Sequence, residues 1–238
     1  MRFAPRVLLL VRDAAGYGAA LVDALQPSRE LTRESQTFDY PLGKYGLDGD
    51  KACGELVNFL DSSGSPQVSI IVLPDYKPPL AACAMNEVLE WISSEATSSE
   101  RVLIIPFITR PSSYHHGMVC ATKALPVLHG AEIGATTDFT HLLVDGTTKP
   151  PTSLQIRSEP ILCLLEMVQV LKMPAVLLVA SGGQQQAKSS SESDLEVLQY
   201  IGEHLARHIK LEFSKEIIRE RGVEKSPIVQ EPWRELYG

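Results

Sequence analysis

Four short stretches of the chain are apolar at nearly every position: 7–11 (VLLLV), 68–73 (VSIIVL), 101–108 (RVLIIPFI) and 175–180 (AVLLVA). Short continuous apolar runs bounded by polar residues, Gly or Pro predict strands buried on both faces, as in a parallel or mixed sheet. Pro106 inside the third run points to an edge position or a strand end. Between these runs the period becomes helical. Residues 19–25 predict a short helix after a turn at 13–18. Residues 50–60 place Ala52, Leu56, Val57 and Leu60 at helical spacing, and 80–93 predict a further helix behind Pro78 and Pro79.

Ser158 and Pro160 open another helix, one as cap and the other in the first turn. Its apolar stripe is Leu162, Leu165, Val168 and Leu171, with Glu166, Gln169 and Lys172 facing away and Pro174 ending it. Asp194 caps a long last helix whose one face carries Leu195, Leu198, Ile201, Leu205, Ile209, Phe213 and Ile217, stopped at Gly222. The segment 27–49 reads as loop, 140–144 as a short strand, and the Gln/Ser-rich 181–193 as a mobile loop. This order predicts an α/β fold: a single-domain sandwich over 1–222 with a mixed central sheet flanked by helices, followed by a flexible, Pro-broken tail at 223–238.

Composition narrows the partners. The 238 residues are 44% hydrophobic and 21% charged, enough apolar content for a sizeable core. With 22 Lys plus Arg against 29 Asp plus Glu the net charge is −7, which argues against nucleic acid or an anionic membrane as main partner. The run 7–11 is interrupted by Arg12 and Asp13 before it reaches the about 7–15 residues of a signal core. No apolar run reaches the about 20 residues of a membrane span. The expected compartment is the cytosol, with the nucleus as a second one. Cys53, Cys83, Cys120 and Cys163 form no CxxC pair and read as buried, reduced thiols.

Candidate chemistry is sparse. Asp13, Gly16 and Gly18 sit between a strand and a helix, where a phosphate loop would lie, but Leu21 replaces the third glycine of the dinucleotide pattern and no Gly-Lys-Ser/Thr follows. Ser181-Gly182-Gly183 follows the fourth strand in a similar way. His115 and His116 follow Tyr114, with His129 and His141 downstream, yet HExxH and HxH are absent. Ser112 and Ser113 lack a GxSxG elbow. An α/β hydrolase or nucleoside phosphorylase-like enzyme using the loops 13–18 and 114–116 stays open as the alternative function. An unrelated adaptor with an accidental tail is a third.

The end of the chain adds a different signal. Leu236-Tyr237-Gly238 is a hydrophobic–Tyr–any-residue terminus, carried on a charged segment that also holds Trp233. The stretch 161–179 runs a helix ending in Val170-Leu171-Lys172-Met173-Pro174-Ala175 directly into an apolar strand. With the strands 68–73 and 101–107 flanking a helix that contains Trp91, this resembles the proteasome assembly chaperone 1 family, in a plant-like member without the long acidic N-terminal region of animal members. The resemblance spans residues 50–210 and is sharpest at 161–179 and 236–238. It implies a fold resembling nucleoside phosphorylases without their catalytic site, hence no enzyme activity and no cofactor or metal. It implies a heterodimer with proteasome assembly chaperone 2 and binding to α subunits of the 20S proteasome in α-ring intermediates. Leu236, Tyr237 and Gly238 would be the proteasome-binding residues.

Overall fold

A computed structural model describes residues 2–13, 16–94, 101–109, 126–152, 154–156, 158–181 and 190–223. The predicted strands are there. β1 (Arg6–Val11), β5 (Pro66–Leu73), β6 (Val102–Thr109) and β8 (Ala175–Ser181) run parallel at the centre of the sheet. Their continuous apolar character follows from burial on both faces: Val7, Leu9, Ile71 and Leu103 pack on one side, Leu8, Leu10, Ile70 and Ile104 on the other. Each such side chain contributes roughly 1.5–3 kcal/mol on leaving water. The full sheet has seven strands in the order β3-β4-β5-β1-β6-β8-β7 and is mixed, because β3 (Thr32–Pro41), β4 (Lys51–Leu60) and β7 (Val127–Ile133) pair antiparallel.

α2 (Leu80–Ser94) and α4 (Glu159–Val170) cover one face; α1 (Tyr17–Ala24), α3 (Asp138–Val144) and α5 (Ser190–Ile209) cover the other. A two-residue ribbon, β2 (Leu25–Gln26) with β9 (Glu212–Phe213), and α6 (Lys215–Val223) lie beside α1.

Several elements differ from expectation. Residues 50–60 form strand β4, and 27–49 contain strand β3; the two make a ten-residue antiparallel ladder. β4 lies between β3 and β5, so Leu56, Val57, Asn58 and Phe59 are all buried, and the apolar residues of a strand buried on both sides mimic helical spacing. β3 is an edge strand, polar on both faces except where Phe38 and Tyr40 reach Trp91 of α2, with ring centroids 5.1 and 4.9 Å away. Residues 140–144 belong to helix α3, whose Thr137 cap is reciprocated by Thr140, a capping box.

Pro106 stands inside the sheet rather than at its edge, but β6 pairs with β1 only from Val102 to Ile104. Beyond that β6 has a neighbour on one side, so an absent N–H facing the open side breaks no ladder bond. The long last helix is two. α5 ends at Ile209, Lys210 adopts φ 59°, and Phe213 folds back over Gly202, where a Cβ would overlap its ring. Asp194 lies inside α5, which begins at Ser190. In α4 the inward residues are Ile161, Leu164 and Val168, while Leu162 and Leu171 face solvent, and the Ser158 side chain makes no cap hydrogen bond. The segments 182–189 and 224–238 lie outside the described residues.

Candidate functional site

The separation of β1 from β6 after Leu8 and Ile104 opens a cavity of about 570 Å³ at the C-terminal ends of the parallel strands. Leu10, Val11, Pro106 and Phe107 form its apolar wall, and Asp13, Lys77 and the start of α4 its polar rim. The position is a topological switch point: β5 and β6, consecutive parallel strands joined through α2, lie on opposite sides of β1. In α/β folds that crevice commonly takes ligands.

The rim groups are engaged with one another. The Asp13 carboxylate accepts the backbone N–H of Tyr17 at 3.2 Å and of Gly18 at 3.1 Å. It thus fills the N-terminus of α1, the place a phosphate would occupy. Both glycines have local reasons. Gly16 sits at φ 77°, and a Cβ on Gly18 would lie 3.1 Å from the Val11 carbonyl oxygen. The Tyr17 hydroxyl donates to Asp194, Lys77 donates to Asp75 at 2.6 Å, and Arg12 lies 3.9 Å from Glu55. Asp13 therefore caps the start of α1, and its carboxylate stands where the dinucleotide reading would need an anion.

The other candidates are dispersed. His129 Nδ1 is 2.7 Å from the Thr148 hydroxyl, and His141 Nδ1 is 3.1 Å from Glu132. Among the described residues no group of three His, Cys, Asp or Glu side chains could hold a metal ion, and no helix is long and apolar enough to cross a membrane. Tyr114, His115, His116, Ser112, Ser113 and Cys120 lie outside the described residues, as do Leu236, Tyr237 and Gly238.

Of the cysteines, Cys83 and Cys163 are half-buried, and burial, reinforced by Glu166 and Cys83, pushes the Cys163 thiol up. Cys53 is exposed, contrary to expectation, because β4 projects past β5 at this point: their pairing begins at Glu55. The Tyr76 hydroxyl closes that projecting end. It accepts the Cys53 N–H and donates to the Cys53 carbonyl, each at 2.6 Å, and burial pushes the phenol up.

His204 on α5 is buried, with Nε2 2.9 Å from the Leu143 carbonyl oxygen and its ring centroid 4.3 Å from that of His208, the two planes tilted by 41°. Burial holds its imidazole below the ordinary range, the Leu143 carbonyl opposing and His208 and Arg207 adding. The folded state therefore binds this proton less well than the unfolded chain. Stability is full above the unfolded value of about 6.5 and declines as pH falls from there through the folded value. Denaturant melts between pH 7 and 5 are expected to show this loss, and His204→Leu to flatten it.

A family model described as a domain of unknown function, DUF7894, matches residues 1–238. The chain belongs to the DUF7894 family. No curated protein matches it. The DUF7894 fold described here is similar to solved structures over nearly its whole length. Pyrococcus furiosus PbaB, an archaeal proteasome activator, has a TM-score of 0.55 at 12% identity, covering 99% of this chain and 94% of that one. A Mycobacterium tuberculosis proteasome-assembly chaperone homologue has 0.53 at 10%, covering 91% and 90%. Pyrococcus furiosus PbaA, an archaeal homolog of proteasome-assembly chaperone, has 0.51 at 11%, covering 93% and 88%. At these identities the likeness is one of fold.

One surface was missed by sequence reasoning. The outward side of α4 exposes Leu162 and Val170, with Leu171 just beyond its end. The clue was available in the periodicity. Ile161, Leu164 and Val168 also form a helical stripe, and a helix of that length cannot bury both.

Proposed function

We propose that the protein is a non-enzymatic assembly chaperone of the 20S proteasome, acting on α-ring intermediates as a heterodimer with proteasome assembly chaperone 2. The observation that carries the reading is the end-to-end fold likeness to proteins described as proteasome-assembly chaperone homologues and a proteasome activator. The terminal Leu236-Tyr237-Gly238 supports it. The chaperone pair would offer a surface to α subunits, and the tail would anchor in a pocket between two of them. This stabilises the ring and blocks premature association of rings or activators. On this reading the protein would act in the cytosol, with the nucleus as a second compartment.

Affinity-tagged full-length protein, recovered from cells of its source organism and analysed by mass spectrometry, is expected to carry α subunits and the second chaperone. Recovery without either overturns the reading. The cavity between β1 and β6 favours a second reading, a hydrolase or phosphorylase-like enzyme that also uses His116. Its self-paired rim weighs against that. Turnover of nucleosides or esters that disappears in His116→Ala would establish it.

A further inference from the structure

A helix that covers a sheet normally presents polar residues to water. α4 does not. Leu162 is 41% exposed and Val170 79%, and Leu171, at the helix end, is 45% exposed. These are three of the six large exposed hydrophobics among the described residues, gathered within ten positions. Leu162, Glu166 and Val170 follow one another at a spacing of four, so they form a single line along the outer side of the helix. Next to Leu162 a groove of about 290 Å³ runs between α4 and the Pro78-Pro79 approach to α2, with Ala82, Cys163 and Glu166 on its walls.

We propose that this side of α4 is the surface that receives the partner chaperone. The occupant would be a different chain, offering an apolar side chain beside a Lys or Arg residue, and not a second copy of this one. The inference rests on the heterodimer reading above. Charge selects the occupant. Glu166 stands in the apolar line and has no cation within 4.0 Å among the described residues, whereas Glu159, at the start of the helix, already feels Lys77, which Asp75 holds. A partner that supplies a cation beside an apolar knob would satisfy Glu166 while filling the groove, the arrangement that concentrates binding energy in a dehydrated centre. Two copies meeting across a twofold axis at the middle of α4 would set Glu166 against Glu166, in molecules each carrying a net charge of −7.

The test uses the full chain and purified proteasome assembly chaperone 2 of the same organism, titrated by calorimetry. Leu162→Asp and Val170→Asp are each expected to weaken the pair by about 30-fold or more, as loss of an interface hot spot does. Leu142→Asp, at an exposed site on α3, should change it by less than about 2-fold. Glu166→Gln should weaken the pair at low salt and flatten the salt dependence of its affinity. Thermal melts check that each variant folds; Val170→Ser takes the place of any that does not.

Wild-type binding that is undiminished in both Asp variants overturns the assignment of the face and leaves the heterodimer reading intact. A wild-type chain that binds no second chaperone overturns both. Self-association of the wild type that Val170→Asp abolishes, with binding of the second chaperone unchanged, shows that a second copy occupies the face and overturns the proposal.

Discussion

Gly134→Ala is expected to lower the unfolding free energy by about 3 kcal/mol or more, where Gly146→Ala lowers it by about 1 kcal/mol. Both glycines have positive φ, +71° at Gly134 and +75° at Gly146, so both substitutions meet the same backbone strain. They differ in what a methyl group would touch. At Gly146 nothing lies within 4 Å. At Gly134 the new Cβ would strike the Met173 carbonyl oxygen, with the carbonyl carbon at 3.1 Å and the nitrogen at 3.2 Å. Those are backbone atoms and cannot rotate aside. Gly134 follows β7 and Met173 precedes β8, and the two strands pair from Val127↔Ser181 to Ile133↔Ala175. The methyl would therefore pry open the end of this ladder. Urea unfolding at unchanged m-value gives both numbers, and equal losses at the two sites would show that the turn relaxes instead.

Tyr237→Ala is expected to weaken binding to 20S particles or α-ring intermediates by about 2 kcal/mol, close to 30-fold. Pro227 and Pro232, two residues with fixed φ, would reduce the entropy lost on binding. Leu236 would fill an apolar site, and the Tyr237 ring would be buried with its hydroxyl hydrogen-bonded. The Gly238 carboxylate would pair with a lysine of the pocket. One residue added after Gly238 should weaken binding too, by moving that carboxylate out of register. Neither change should alter the melting temperature or the affinity for the second chaperone. Equal binding by wild type, Tyr237→Ala and the extended chain removes the tail from the mechanism.

The central strands were legible because β1, β5, β6 and β8 are buried on both faces and announce it in uninterrupted apolar sequence. β3 was not, because an edge strand needs few apolar contacts. Phe38 and Tyr40, two positions apart, mark its period, and their meaning depends on Trp91, in contact in space but far along the chain on α2. β4 was misread because burial on both sides removes the alternation that distinguishes a strand from a helix. The break between α5 and α6 hangs on Lys210 in a left-handed conformation, a role sequence reasoning assigns to Gly.

At the candidate site the two glycines and Asp13 were visible as a turn. That the carboxylate occupies the helix terminus required coordinates, since the same residues could equally have left it open. The outward line on α4 was hidden by a choice between two apolar stripes that the helix's partners alone could decide.

The placement of α6 has a consequence for how the molecule can be used. α6 packs with α1 and α5, so the chain leaves its last described residue on one side of the sheet, while Leu162 and Val170 lie on α4 across the sheet from it. The face proposed for the partner and the point from which residues 224–238 depart are thus on opposite sides of the sheet. With both proposed attachments in use, the molecule would act as a bridge, held to one protein by its body and to a second by its terminus. Saturating either attachment should leave the other's affinity unchanged.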